Sequence, residues 1–213
     1  MTGIDEPTLV ALEEGVGAAL RSGDASGLVV LGYGEISLVL GAPASEVRWA
    51  CKRLPIFPDR AAAGRFEVTF HRYCSTLEER GVRVVDTEVL HLPQSDGQVV
   101  VYCVQPVLAS DCLAVSIGRR GDPQFPEVLA AIVDAAFAVI DPIVGLDAQL
   151  SNWAWVDGRL VYFDLTTPML RRADRVSELD TGVFLASLPW ALRGPVRRFV
   201  LPGILERYHN ARS

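Results

Sequence analysis

The sequence predicts an α+β protein, in which a five-stranded antiparallel sheet with one helix precedes a shorter, mainly helical part that contains one β-hairpin. Short apolar runs separated by turn residues fill most of residues 28–107, whereas helical periodicity dominates the residues after them. One hairpin signal, Asp157-Gly158, interrupts this helical part. Because strands and helices are segregated along the chain, the pattern favours α+β over an alternating α/β fold.

Composition excludes several classes of protein. The chain has 213 residues, of which 50% are hydrophobic, enough for one compact or two-lobed domain. A net charge of -6 argues against a nucleic-acid partner. The most apolar segments, residues 128–140 and 183–192, are too short to span a membrane, and no signal peptide is visible at the start. The four cysteines lack zinc-type spacing, so we expect free thiols in a cytoplasmic protein.

The first half contains the predicted sheet. A first helix over residues 7–20 should end in the polar cluster at residues 22–27, and a second helix over residues 61–80 should be closed by Gly81. The predicted strands are residues 28–31, 36–40, 47–54, 82–92 and 98–107. Gly41-Ala42-Pro43 and Asp96-Gly97 are the predicted turns. The almost continuous apolar run of the last strand indicates a central position in the sheet.

The second half begins with a strongly apolar helix over residues 126–140, which should stop before Asp141-Pro142. A hairpin is predicted from residues 152–156 and 159–164. From residue 171 onward the pattern predicts helices with three breaks, at Pro189, Gly194-Pro195 and Pro202-Gly203.

A glycine-rich turn, Leu31 to Ser37, lies between the first two predicted strands. Glycines at such a turn allow backbone N–H groups to approach phosphate oxygens, although a Gly-x-Gly between strands is usually only a hairpin. A dinucleotide fingerprint is excluded, because that motif must open a helix and here a strand follows.

Lys52 is the single lysine among 20 basic residues and lies in the third predicted strand. Strand alternation places it on the opposite face from Trp49 and Cys51, where it could contact nucleotide phosphates. Glu67, in the following helix, is the expected anionic partner; a surface role for this glutamate is the alternative. Retention of one surface lysine by chance is the alternative for Lys52.

Asp147-x4-Asn152, followed twelve residues later by Asp164, is the most specific pattern. If Asp157-Gly158 is the turn, Asn152 and Asp164 lie near each other at the open end of the hairpin. An amide oxygen and a carboxylate there suit a magnesium ion, and Asp147 could accept a proton from a hydroxyl. Taken singly, Asp147 could also be a helix cap and Asp164 a turn residue.

These residues, in this order, resemble the protein-kinase-like superfamily, in particular its aminoglycoside-phosphotransferase and small-molecule-kinase branch, and also uncharacterised actinobacterial kinase-like families. The resemblance covers residues 27–168 and implies a single two-lobed domain, with an N-lobe over about residues 1–107, a hinge near 105–108 and a C-lobe over about residues 108–213. It implies ATP and Mg2+ as cofactors. Catalytic roles fall on Asp147, Lys52 and Glu67 and metal binding on Asn152 and Asp164, whereas the nucleotide contacts fall on Gly32, Tyr33, Gly34, Ser37, Lys52, Gln105 and Val107.

The leading hypothesis is therefore a Mg-ATP-dependent phosphotransferase that acts on a hydroxyl of a small-molecule acceptor, with Asp147 as base and no nucleic-acid or membrane partner. Three departures favour a nucleotide-binding pseudokinase or regulatory module instead: Gly145 replaces the usual histidine, Leu165 and Thr166 follow Asp164, and the helical lobe is short. A kinase-fold adenylyl transferase is a further alternative. The sequence leaves the acceptor and the oligomeric state open.

Overall fold

A computed structural model describes residues 3–33, 38–179, 185 and 201–210. It confirms a mixed fold with a five-stranded antiparallel sheet, a separate two-stranded sheet and helices. The elements are α1 Glu6–Ser22, β1 Val29–Tyr33, β2 Leu38–Ala42, β3 Trp49–Arg53, α2 Arg60–Glu79, β4 Glu88–Pro93, β5 Val99–Pro106, α3 Ala114–Arg119, α4 Phe125–Val139, a 3-10 helix Leu150–Asn152, β6 Trp153–Val156, β7 Arg159–Tyr162 and α5 Leu201–Tyr208.

The chain forms two compact units. The sheet unit comprises Met1–Gly64 and Asp86–Val107, and the hairpin unit comprises Arg65–Val85 and Leu108–Ser213. Within the described ranges, no helix has the length and apolar character needed to cross a bilayer.

Local signals explain the bounds of α1. The Asp5 carboxylate caps the helix by accepting a 2.8 Å hydrogen bond from the Thr8 N–H, and Pro7 occupies the first turn. Gly23 ends the helix with a positive φ of 75°, and its N–H donates to the Ala19 carbonyl. The predicted first helix is confirmed.

The five strands of the sheet unit follow the order β1-β2-β3-β5-β4, all antiparallel. This order confirms the predicted meander of the first three strands. It also places β5 in the interior of the sheet, between β3 and β4, where it is buried from Val99 to Gln105. A core between α1 and one face of the sheet includes Leu9, Cys51 and Tyr102, with Trp49 packed against it.

A polar contact inside the sheet unit ties α1 to β3 and β5. The Glu13 carboxylate accepts two hydrogen bonds of 2.8 Å from the Arg53 guanidinium and one of 2.7 Å from the Tyr102 hydroxyl. Burial raises the pKa of Tyr102 and the hydrogen bond to Glu13 adds to this, so its hydroxyl stays protonated as a donor. Such a bidentate arginine–carboxylate pair fixes the helix register on the sheet.

The hairpin unit contains β6 and β7, joined by the predicted two-residue turn. Asp157 and Gly158 both have positive φ, 51° and 70°, as a type I′ turn requires. Trp153 pairs with Tyr162 in this ladder. Each strand of the hairpin also has one neighbour on its outer edge. Leu113 forms an isolated bridge with Ala154 of β6, and Val84 forms one with Tyr162 of β7.

Two predicted boundaries in the sheet unit were wrong. The fourth strand begins at Glu88 rather than residue 82, because residues 83–85 bond instead to the hairpin: the Tyr162 N–H donates to the Arg83 carbonyl and the Val85 N–H to the Tyr162 carbonyl. Gly41 and Ala42, predicted as a turn, belong to β2, and the chain turns only after them.

The last predicted segment was also partly wrong. Residues 171–179 are not helical, and Arg171 instead bridges Ser177. The break at Pro202-Gly203 is absent because α5 runs through both residues. The breaks predicted at Pro189 and Gly194-Pro195 lie outside the described residues. The short helix α3 was not predicted.

Candidate functional site

Asp147 lies in the hairpin unit, in the loop between α4 and the 3-10 helix, and is half-buried. Both of its carboxylate oxygens accept hydrogen bonds from one residue: the Gln149 N–H donates to Oδ1 and the Gln149 side-chain amide to Oδ2, each at 3.2 Å. Gln149 was not predicted as a site residue, although Asp side chains often accept a hydrogen bond from the backbone N–H two residues further on.

Asn152 is buried at the end of the 3-10 helix, directly before β6, and its amide nitrogen donates to the backbone carbonyl of Asp147 at 3.2 Å. This contact orients the amide and directs its nitrogen to the loop. The Phe163 N–H donates to the Asn152 carbonyl at 3.1 Å, so the β6–β7 ladder extends by one pair and Asp164 follows directly. Asn152 and Asp164 therefore both occupy the open end of the hairpin, as the turn position predicted.

The negative charge of Asp164 acts on the Asp147 carboxyl. Burial raises the pKa of the Asp147 carboxyl above its usual range, and the negative charge of Asp164 adds to this, while hydrogen bonds from Gln149 and Asn152 act in the opposite direction. Asp164 is half-buried, and its Oδ1 accepts a hydrogen bond of 3.2 Å from the Thr166 hydroxyl. The structure thus brings Asp147, Asn152 and Asp164 into one neighbourhood.

Two buried tyrosines support the Asp147 loop. The Tyr73 hydroxyl, from α2, donates a 3.0 Å hydrogen bond to the Gly145 carbonyl. Tyr162, from β7, interacts with Tyr73 and with the backbone of Asp147, and burial raises the pKa of both phenols. Trp153 packs against Tyr162 with ring centroids 4.8 Å apart. A loop held at several points in this way can keep a carboxylate in a fixed position.

Gly145 occupies the position where the resembled family usually carries histidine, and it is tightly packed. A Cβ at this position would lie 2.9 Å from His209 Cε1, 3.0 Å from Met169 Cβ and 3.0 Å from the Tyr208 carbonyl oxygen. The Leu146 N–H donates to that same Tyr208 carbonyl. The buried imidazole of His209, just after α5, therefore fills the space next to this loop.

The remaining nucleotide-binding candidates lie in the sheet unit. Gly32 is opposite Val39 just after an irregularity in the β1–β2 ladder, and Tyr33 ends β1. Gly34 and Ser37 lie outside the described residues. Lys52 is 5% exposed in the centre of β3, opposite Val39 in β2 and Cys103 in β5.

Gln105 and Val107, expected at the hinge, have their own hydrogen-bond partners. The buried Gln105 amide donates to the Thr87 hydroxyl at 3.0 Å, and the Val107 N–H donates to the Arg48 carbonyl at 2.9 Å. An adenine ring bound at this strand end would need backbone groups other than the Val107 N–H.

Glu67 lies on α2 in the hairpin unit, where its carboxylate is 3.8 Å from the imidazole nitrogen of His71. Lys52 belongs to the sheet unit, so that the Lys52–Glu67 pair stays a prediction from the sequence.

The oxygen atoms at the hairpin end are of the kind that magnesium prefers. No cluster of three or more histidine, cysteine, aspartate or glutamate side chains arranged for a metal occurs among the residues that the structure describes. Magnesium needs no such cluster, because it keeps several waters and uses few protein oxygens. The Asn152 amide nitrogen donates to the Asp147 carbonyl, and its Oδ1 accepts a 3.3 Å hydrogen bond from the Ser151 hydroxyl. Burial and the charge of Asp164 both raise the pKa of the Asp147 carboxyl, so a cation between these carboxylates would reduce their repulsion.

Comparison with known proteins identifies the family. A family model described as a family of unknown function, DUF6206, matches residues 11–213, and the chain belongs to this family. No curated protein matches the sequence. Among solved structures, the chain is similar to a MAP kinase from Leishmania major with a TM-score of 0.40 and 12% sequence identity. That match covers 74% of this chain and 50% of the kinase chain.

Proposed function

We propose that this protein is a Mg-ATP-dependent phosphotransferase with a two-lobed kinase-like fold that acts on a hydroxyl of a small molecule. The observation that supports this proposal most is the neighbourhood of Asp147, Asn152 and Asp164 at one end of the β6–β7 hairpin. Lys52 adds support, because it is a buried lysine on the third strand of an antiparallel sheet and a helix follows it in the chain.

In this proposal Asp147 is the catalytic base. The acceptor hydroxyl oxygen attacks the terminal phosphorus of ATP, the bond from that phosphorus to the ADP oxygen breaks, and the hydroxyl proton passes to the Asp147 carboxylate. The raised pKa of Asp147 makes it a stronger base than an exposed aspartate. The two hydrogen bonds from Gln149 and the support of the loop by Tyr73 fix its orientation.

Asn152 and Asp164 would hold the magnesium ion, which when bound neutralises phosphate charge. Lys52 would contact the phosphates. The turn that includes Gly32 would cover the nucleotide.

A nucleotide-binding module without transfer activity is the second candidate. Both oxygens of Asp147 already accept hydrogen bonds from Gln149, so an acceptor hydroxyl would compete with an intramolecular partner. Gly145 replaces the histidine usual in the kinase-like superfamily, and His209 packs closely against it. A module of this kind would bind ATP with magnesium and release no product with any hydroxyl compound.

The first test is ATP binding by calorimetry, with and without magnesium, on wild type, on Asp164→Ala and on Asp111→Ala. Asp111 is an exposed aspartate of the same hairpin unit and serves as the matched control. We expect magnesium-dependent binding that is lost in Asp164→Ala and kept in Asp111→Ala. If the wild type binds no ATP even with magnesium present, both candidate functions are contradicted. Product mass after incubation with hydroxyl compounds then separates phosphoryl from adenylyl transfer.

A further inference from the structure

The hairpin unit contains a cavity of about 590 Å³ between α4 and the β6–β7 hairpin. This volume lies in the range of about 300–1,000 Å³ that small-molecule sites occupy. The residues that line it all belong to the hairpin unit, and Asp147, Asn152 and Asp164 are not among them. The cavity is therefore separate from the site proposed for phosphoryl transfer.

One wall of the cavity is aromatic and the opposite wall is made of small residues. Trp153 and Trp155 alternate along β6 and thus share a face, which Leu160 joins because it pairs with Trp155. The facing helix α4 contributes Ala131 and Ala135. Small side chains opposite the half-buried indole of Trp155 leave room for a flat ring, which an indole binds well by stacking.

The charged residues around the cavity are mainly basic. Arg80, Arg83 and Arg159 line it together with the single acidic residue Asp134. The Arg80 guanidinium is committed to the Asp141 carboxylate at 2.8 Å and to a backbone carbonyl. Arg83 and Arg159 are both exposed, and neither has an ion-pair partner among the residues that the structure describes. Two guanidinium groups are thus available to an anion.

We propose that this cavity is a binding site for a small aromatic anion, a ring that bears a carboxylate, sulfonate or phosphate group. The ring lies against the indole of Trp155, and the anionic group accepts hydrogen bonds from Arg83 and Arg159. Guanidinium groups bind such anions through paired, charge-assisted hydrogen bonds.

The test is a fluorescence titration of the full chain with 1-anilinonaphthalene-8-sulfonate, an aromatic sulfonate. The double variant Arg83→Glu/Arg159→Glu reverses both charges at the cavity. The matched control, Arg65→Glu/Arg119→Glu, makes the same change in net charge at two exposed arginines elsewhere in the hairpin unit. A third variant, Ala135→Phe, fills the cavity from α4 without any change in charge. Circular dichroism establishes that each variant is folded.

We expect one saturable site in the wild type, binding weakened by about tenfold or more in the double variant, and binding within twofold of wild type in the control. Ala135→Phe should weaken binding by a similar factor. The proposal is overturned if the wild type shows no saturable binding, if both double variants behave alike, or if Ala135→Phe binds as tightly as the wild type. Because no nucleotide is present, failure here leaves the phosphotransferase proposal unaffected.

Discussion

The Tyr73 hydroxyl donates a 3.0 Å hydrogen bond to the Gly145 carbonyl, two residues before Asp147 and 72 residues away in the sequence. Tyr73 is fully buried on α2, and Gly145 is buried as well. The position of the proposed base therefore depends on a helix that is distant in the sequence.

Tyr73→Phe removes this donor and leaves a buried carbonyl oxygen without it. We expect a loss of about 1–3 kcal/mol in the free energy of unfolding, measured by urea denaturation. Val68→Ala, an exposed change on the same helix, should stay within about 0.5 kcal/mol of the wild type. Equal stability of Tyr73→Phe and wild type would show that the hydrogen bond contributes nothing.

Gly145→Ala places a methyl group within 3.0 Å of the Met169 side chain, the His209 ring and a backbone oxygen. We expect a loss of about 1–3 kcal/mol, since a packed site must shift to accept it. Gly64→Ala is the control of opposite sign: Gly64 lies within α2, a Cβ there meets no atom within 4 Å, and a gain of about 0.5–1 kcal/mol is expected. Thermal unfolding measures both, and a stable Gly145→Ala protein would contradict the close packing.

Asp147→Asn should abolish transfer and leave ATP binding nearly unchanged, because only the proton acceptor is lost. In the wild type, kcat/KM should fall as the pH drops through a pKa above the usual aspartate value of about 3.9, because protonation removes the base. Unchanged turnover in Asp147→Asn would rule out the role of base.

The same variant has a predicted effect on stability without magnesium. A folded-state pKa that is raised means that the ionised Asp147 destabilises the folded protein above that pKa, and that this penalty disappears as the pH falls through it. In EDTA at pH 7, Asp147→Asn should therefore unfold at a higher urea concentration than the wild type, and the difference should shrink in acid. Asp111→Asn, at an exposed site, should show no such gap.

Glu13→Gln tests the contact that ties α1 to the sheet. The amide keeps one oxygen but loses the charge that both Arg53 and Tyr102 contact, so we expect a loss of about 1–3 kcal/mol by urea denaturation. Glu14→Gln, at the exposed neighbouring position, should have almost no effect. Similar losses from both changes would mean that general charge, rather than this contact, matters.

Elements with strong local signals could be predicted from the sequence. The apolar run of α4, begun by Pro126 and stopped before Asp141, and the hairpin at Asp157-Gly158 both lie within one or two residues of their predicted bounds. The turn position was sufficient to predict that Asn152 and Asp164 share one end of the hairpin. Such features depend on neighbours along the chain.

Features that depend on distant partners were missed. Residues 82–85 have the sequence of a strand, but residues 83–85 form their backbone hydrogen bonds with Tyr162 of the hairpin. Helix α3 is only six residues long and has no side-chain cap, so it leaves little signal. Tyr73 gives no hint in sequence that its hydroxyl reaches the loop of Asp147. Gly145 was predicted to differ from the histidine usual in the kinase-like superfamily, but the packing of His209 against it could not be predicted.

The four free cysteines are divided evenly between the two units. Cys51 and Cys103 are fully buried in neighbouring strands of the sheet unit, while Cys74 and Cys112 are half-buried in the hairpin unit. Burial raises the pKa of Cys51 and of Cys74 to about 12, so each thiol reacts slowly with alkylating reagents until its surroundings open. The native cysteines are therefore probes of local unfolding in each unit. The alkylation rates of Cys51 and Cys103 would report on opening of the sheet unit and those of Cys74 and Cys112 on opening of the hairpin unit, with no label introduced by mutation.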